Sequence, residues 1–251
     1  MATKKKSKMT QYSLSIVSHG QAALVKKLVQ DFKQQNCQDI EVILTLNLPE
    51  VWEEQDFELP FPLKTITNEQ PKGFAANHNQ AFQQATGAYF AILNPDLRLL
   101  DNPFPALAQT LLEDEKLAVV APQVVNNQGK VEDNARQFLT LRRLGQRLFR
   151  KSRPLAYSST APIIYPEWAG GMFLLFSRAH YQKLGGLSEA YYLYCEDMDL
   201  GLRVQRAGLK VAVNNQVKVI HEAQRASHRK LKYMYWHLTS LLIFFKRWYF
   251  A

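Results

Sequence analysis

The sequence predicts an α/β fold: one domain with a mainly parallel central sheet and helices on both faces. Three observations carry this. Short apolar runs alternate with stretches of helical period through the first half. Apolar residues make up 47% of the 251-residue chain, enough for a sizeable core. No repeat and no linker divides the chain into two domains.

The elements follow in order. Leu14 to Ser18 reads as a short buried strand, and Gln21 to Gln35 as an amphipathic helix with Leu24, Leu28 and Phe32 in register. "EVILTLN" is a second buried strand, followed by an acidic, Pro-bounded loop, and Thr65 and Ile66 belong to a third strand. Phe74 to Thr86 reads as a helix closed by Gly87, and "AYFAILNPD" as a strand ending on Asn94, Pro95 and Asp96. Pro105 to Glu115 is helical and Leu117 to Ala121 is a strand. Beyond a basic stretch, "RRLGQRLFRKSRP", the run "WAGGMFLLFSR" reads as one strand and "RAHYQKLGG" as a short helix. A helix starts at the acids of "CEDMDLGLR", "LKVAVNNQVKVIHEA" gives one or two strands, and a basic aromatic helix ends the chain. The expected boundaries are a disordered basic tail over 1–11, the domain over 12–227, and the last helix over 228–251, packed on the domain or on a membrane surface.

Ligands of parallel sheets bind beyond the carboxyl ends of the strands. Ser18, His19, Asn47, Asn94 and Asp96 all fall at such ends, so the topology points to one crevice. Lys and Arg total 31 against 22 acids, a net charge of +9. That surplus suits nucleic acid, nucleotide phosphates or an anionic membrane face. Two cysteines, Cys37 and Cys195, make no disulfide framework and no zinc pattern, which fits a reducing cytosol. No stretch of about 18 uninterrupted apolar residues is present, so no spanning helix is expected.

The acids Glu196, Asp197 and Asp199 follow Tyr191, Tyr192 and Tyr194. Acids in a first turn complement the helix dipole, and Asp199 and Arg203 have the i, i+4 spacing of a surface ion pair. Carboxylates beside aromatic faces also suit a sugar site. The motifs "LSIVSHG", "EVILTLN", "KGFAANHNQAF", "YFAILNPD", "WAGGMFLLFSR", "YLYCEDMDLGLRVQRAG" and "VIHEAQRAS" are weak singly. Together, in this order, the chain resembles family 2 glycosyltransferases from Ser13 to about Ser240, in particular the rhamnosyltransferase-like branch that builds bacterial surface polysaccharides.

That resemblance implies a GT-A (Rossmann-like) fold, a nucleotide-diphosphate sugar donor, a divalent Mg²⁺ or Mn²⁺ ion, and inversion at the anomeric carbon. It places Asp96 of "NPD" as a metal carboxylate and His221 of "VIHEA" as a second metal ligand. Asp197 becomes the general base, with Glu196 and Asp199 orienting it. Ser18, His19, Asn47, Gly73, Asn79, Asn94 and Asp96 would line the donor site. Trp168, Gly170, Gly171 and Tyr194 would line the acceptor site, the two glycines by close approach and the tyrosines as a wall. The chain departs from the pattern twice. Leu46 stands where members often carry a base-reading acid, and Asn94 replaces the first acid of the metal motif.

The chemistry accounts for these residue types. A diphosphate leaving group develops charge that a hard cation on carboxylate oxygen stabilises. A sugar hydroxyl is a poor nucleophile and needs a base on its own side. A sugar nucleotidyltransferase ranks lower, because "SIVSHGQAALVKK" has one glycine and no arginine. A basic nucleic-acid or membrane-binding module would not require the acids, and nucleic acid is not the expected partner. The expected acceptor is a glycan or lipid-linked glycan, used in the cytoplasm with peripheral attachment to the membrane. Arg142, Arg143, Arg147 and Arg150, with Leu141, Leu144, Leu148 and Phe149, are one candidate attachment surface, and the last helix is another.

Overall fold

The computed structural model describes residues 10–52, 58–140, 143, 155–158, 160–222 and 231–250. In chain order the elements are β1 (Tyr12–Ser18), α1 (Ala22–Gln34), β2 (Ile40–Leu46), β3 (Leu63–Thr67), α2 (Phe74–Gln84), β4 (Tyr89–Leu93), β5 (Leu97–Leu99), α3 (Phe104–Glu113) and β6 (Leu117–Val125). They continue with β7 (Ala135–Arg136), β8 (Ile163–Ile164), β9 (Trp168–Ala169), β10 (Phe173–Ser177), α4 (Arg178–Lys183), α5 (Glu196–Arg206), β11 (Lys210–His221) and α6 (Leu231–Phe250).

The central sheet runs β3-β2-β1-β4-β10-β6-β11-β5, with β8 added beside β11. Its first four strands are mutually parallel, β10 is antiparallel to both neighbours, and β6 and β11 are again parallel. Strand alternation divides the core. Leu14 and Ile16, Ala91 and Leu93, and Phe173 and Leu175 face the layer built by α1 and α3. Phe90 and Ile92, and Leu174 and Phe176, face α2, α4 and α5. A third cluster, Phe138, Trp168, Tyr191, Cys195, Met198, Leu202 and Phe244, ties α5 to α6. Leu46 is buried in the first layer, where it packs the core.

Two expectations change. "WAGGMFLLFSR" is two strands, because Gly170 and Gly171 let the chain leave the central sheet. Trp168–Ala169 then pairs with β7 in a separate ribbon. Asp199 forms its i, i+4 pair with Arg203, but not at the surface. It is buried, and it holds Arg203 at 2.7 Å, Arg247 at 3.0 Å and the Tyr191 hydroxyl at 3.0 Å. Arg143 is turned onto Glu167 at 2.9 Å, whereas Arg142, Arg147 and Arg150 lie outside the described residues, as do Leu141, Leu144, Leu148 and Phe149. Among the described residues, no helix is long and apolar enough to cross a membrane.

Candidate active site

The crevice lies beyond the carboxyl ends of β1, β2 and β4. Its first wall is an amide network. Asn47, at the end of β2, is wholly buried, and its carboxamide takes the Lys72 N–H at 2.8 Å and gives to the Lys72 carbonyl at 2.9 Å. It also donates to His19 Nε2 at 2.8 Å. His19 therefore presents a neutral acceptor nitrogen there, and burial lowers its pKa. Asn68 donates to both Asn47 and Asn77 at 2.7 Å, and Asn77 donates to the Lys72 and Gly73 carbonyls. Buried amides that satisfy one another hold a loop without charge. The Asn68 Oδ1 atom remains, buried and unpartnered.

Two expected donor contacts belong to the scaffold instead. Ser18 Oγ accepts the Gln21 N–H at 3.0 Å and shapes the turn into α1. Asn79 points away from the crevice, bonded to Tyr181, Glu189 and both main-chain groups of Leu187. Asn68, Lys72 and Asn77 take its place in the wall. The repeated Asn of "AANHNQ" is the signal for them in the sequence, but the phase of the helix decides which one faces in.

The second wall is the Asn94–Asp96 turn. It is fixed from behind by Arg98 in β5, which grips Asp31 of α1 with two bonds of 2.6 and 2.7 Å. Asp96 Oδ2 lies 3.4 Å from His221 Nε2, and His221 Nδ1 lies 2.8 Å from Glu132. Burial works against charge on His221, but Asp96 and Glu132 outweigh it and raise its pKa. Asp96 Oδ1 is buried and accepts no hydrogen bond. An unpartnered carboxylate oxygen beside an imidazole steered by a second carboxylate fits a divalent cation. Among the described residues no three His, Cys, Asp or Glu side chains form a closed cage. Such a cation would therefore be completed by ligands from the substrate or water.

The third wall starts α5. Tyr194 and Cys195 are both left-handed, at φ 70° and 67°. L-residues avoid that region, and strain of this kind concentrates at functional turns. It aims the helix start inward. Asp197 accepts the Gly171 N–H at 3.1 Å and the Met198 N–H at 2.8 Å. Gly171 adjoins Met172, whose carbonyl takes the Asn94 N–H at 2.9 Å. The metal-type turn and Asp197 are thus two short links apart. Burial raises the pKa of Asp197, while Arg136 and the two N–H donors pull it back. Glu196 is buried with Oε2 unpartnered, and burial followed by repulsion from Asp197 pushes its pKa up to about 8. Burial thus favours the neutral form of both carboxyls, and their mutual repulsion adds to this at Glu196.

The acceptor side also differs from expectation. Trp168 is buried under α5, with Arg136 5.2 Å above its ring, and is not an open platform. Tyr191 belongs to the core, bonded to Asp199. Tyr192 and Tyr194 remain as the wall. They are backed by α6, with Tyr192 4.6 Å from Trp236 and Tyr194 edge-on to His237 at 5.3 Å. Cys195 is a buried packing residue. At Gly170 a Cβ would meet the flexible end of Met172, at 3.0 Å, and Gly171 is not a tight spot. A Cβ on Gly171 would meet Phe74 and Asp197 at ordinary contact, 3.6 and 3.7 Å. Around this site a Cβ would be far more crowded at Gly73, 2.7 Å from the Tyr192 carbonyl oxygen, and at Gly201, 2.5 Å from the Trp168 Cβ. At Gly73 the donor loop and the tyrosine loop touch, and Phe74 N–H donates to Tyr192 O at 2.9 Å.

The family model described as glycosyl transferase family 2 matches residues 13–178, and one described as the N-terminal domain of galactosyltransferase matches residues 153–229. Rhamnosyltransferase WbbL of Escherichia coli K12 is 24% identical over 248 residues, 92% of this chain and 91% of the relative. N-acetylglucosaminyl-diphospho-decaprenol L-rhamnosyltransferase of Mycobacterium tuberculosis is 27% identical over 163 residues. That is 61% of this chain and 53% of the relative, so the match spans about half of that protein. Among solved structures, GalNAc-T7 with UDP, GalNAc and Mn²⁺ superposes with a TM-score of 0.64 at 15% identity, covering 87% of this chain and 44% of that one. Mannosyltransferase PcManGT of Pyrobaculum calidifontis, with GDP-Man and Mn²⁺, gives 0.61 at 15% identity, over 87% and 59%. These likenesses are to GT-A folds.

Proposed function

The chain belongs to glycosyl transferase family 2, and from that premise we propose that it is an inverting, metal-assisted transferase with Asp197 as its base. It is a glycosyltransferase of the rhamnosyltransferase-like branch. The donor we propose is a nucleoside-diphosphate sugar, rhamnose first among the sugars to try. The acceptor is a hydroxyl of a glycan or lipid-linked glycan.

One observation supports this reading above the others. The turn that carries the unpartnered carboxylate oxygen of Asp96 and the N–H-held carboxylate of Asp197 are joined through the short segment Gly171–Met172. Asp96 and His221 would hold the cation, which when bound supplies Lewis-acid stabilisation to the departing diphosphate. Lys72 and Gly73, set by the amide network, would position the donor, and Asn68 Oδ1 is free to accept an N–H of the nucleobase. Asp197 would take the acceptor proton as its oxygen attacks. Its two N–H donors favour its charged form against burial, and a neutral Glu196 would leave that charge unopposed. Tyr192 and Tyr194 would flank the acceptor sugar. The membrane face of the cytoplasm is the proposed place of work, because a lipid-linked acceptor resides there.

The test is transfer from a panel of nucleoside-diphosphate sugars to lipid-linked and short glycan acceptors. EDTA should suppress turnover, Mn²⁺ or Mg²⁺ should restore it, and Asp96→Ala should abolish the restoration. Full turnover in metal-free buffer would remove the metal and Asp96 from the reaction. Retained anomeric configuration in the product would remove the single-displacement role of Asp197.

A further inference from the structure

Helix α6 is apolar on two sides. Its inner side packs on the domain. Phe244 is fully buried, Ser240 donates to the Leu193 carbonyl at 2.9 Å, and Arg247 reaches Ser188 at 2.7 Å and Asp199 at 3.0 Å. A helix whose core contacts were complete would be polar on the other side. Instead Leu231, Tyr235, Leu238, Leu242 and Tyr249 are exposed there, Leu231 by 80% and Leu242 by 71%. Steps of four, three, four and seven residues keep them within a narrow stripe along the 20-residue helix, about 30 Å long. Exposed apolar surface this continuous marks a place of contact.

The charges indicate what covers it. The helix carries no Asp or Glu, and exposed Lys232 and Lys246 border the stripe. The chain as a whole is +9. A second copy of this helix would bring like charge against like charge. An anionic lipid surface would complement both the stripe and its lysines, with Tyr235 and Tyr249 suited to the headgroup level. Because the inner side is anchored through Ser240 and Arg247, the helix must lie along such a surface and not cross it.

We propose that the outer stripe of α6 is a docking surface for an anionic membrane, which seats the Tyr192–Tyr194 wall of the crevice beside the bilayer. This rests on the reading above only for the nature of the acceptor. The contact itself is independent of catalysis.

Co-sedimentation of the full chain with phosphatidylglycerol-containing vesicles and with pure phosphatidylcholine vesicles tests it. Binding should need the anionic lipid and weaken as salt rises. The double variant L238S/L242S should bind about tenfold or more weakly, and K232S/K246S about fivefold more weakly per lysine. Both pairs are exposed, so thermal melting should match the parent. Equal recovery in the supernatant with and without anionic vesicles, or parental binding by L238S/L242S, would overturn the proposal. So would a parental dimer that becomes a monomer in L238S/L242S by light scattering, since the stripe would then join two copies. Transfer to a short soluble glycan, followed in parallel, reports on the crevice alone and should stay at the parental rate in L238S/L242S.

Discussion

The donor wall and the acceptor wall of the crevice are built on opposite plans. The donor wall is neutral: Asn47, Asn68 and Asn77 satisfy one another and the Lys72–Gly73 main chain, leaving a single oxygen over. The acceptor wall keeps its polar groups in tension. Two left-handed residues open α5, Glu196 is buried with its pKa pushed up to about 8, and burial raises that of Asp197 beside it. Under the proposed mechanism the contrast follows from two tasks. A wall that binds the same diphosphate throughout the cycle needs a fixed shape. A wall that must accept a proton needs a carboxylate whose charge is held by geometry and not dissipated by solvent.

The largest expected break in this contrast is Asp197→Asn. It should lower kcat by about 10²–10⁴ while leaving donor binding, read by thermal shift with the nucleotide, close to the parent. A folded Asp197→Asn enzyme with near-parental turnover would make the acceptor wall as passive as the donor wall.

Next is Glu196→Gln, which should stabilise the fold by about 2 kcal/mol at neutral pH. The sign follows from proton uptake. The folded protein holds the Glu196 proton up to about 8, whereas an ordinary glutamate releases it near 4.5. Between those values the folded state binds more protons than the unfolded one, so parental stability falls as pH rises. The variant lacks that slope. Melting curves from pH 5 to pH 8 should therefore diverge steadily, with the Glu196→Gln protein the more stable of the two. Parallel curves would show that Glu196 is ionised.

The smallest effect sharpens the boundary between the walls. Gly73→Ala should destabilise by about 1 kcal/mol, since its Cβ would press on the Tyr192 carbonyl. Gly171→Ala should be close to neutral, because its Cβ finds ordinary contacts and its N–H to Asp197 survives. Denaturant titration of the two variants distinguishes them, and the reverse order would place the tight joint at Gly171.

Much of the sheet is legible in the sequence because buried parallel strands read as unbroken apolar runs, as in "EVILTLN". Strand ends then locate His19, Asn94 and Asp96. The misplaced residues share one cause. The motif order points to Asn79 where the structure sets Asn77 in the amide network, and it groups Asp199 with Asp197. Residues two apart on a helix point to nearly opposite sides. Sequence supplies the residue types at such a helix but not its rotation, which is set by distant groups: Leu187 and Tyr181 for Asn79, Arg247 for Asp199. The break inside "WAGGMFLLFSR" is hidden likewise, since nothing local announces that Trp168 pairs with Arg136.

The Asn47 carboxamide has a wider consequence. By taking the Lys72 N–H and giving to the Lys72 carbonyl, it acts as one more peptide unit at the end of β2. Lys72 lies in a surface loop, yet its amide hydrogen is bonded to a side chain that is itself wholly buried. In deuterium-exchange terms that amide belongs to the sheet: it is released by opening β2 and not by local fraying of the loop.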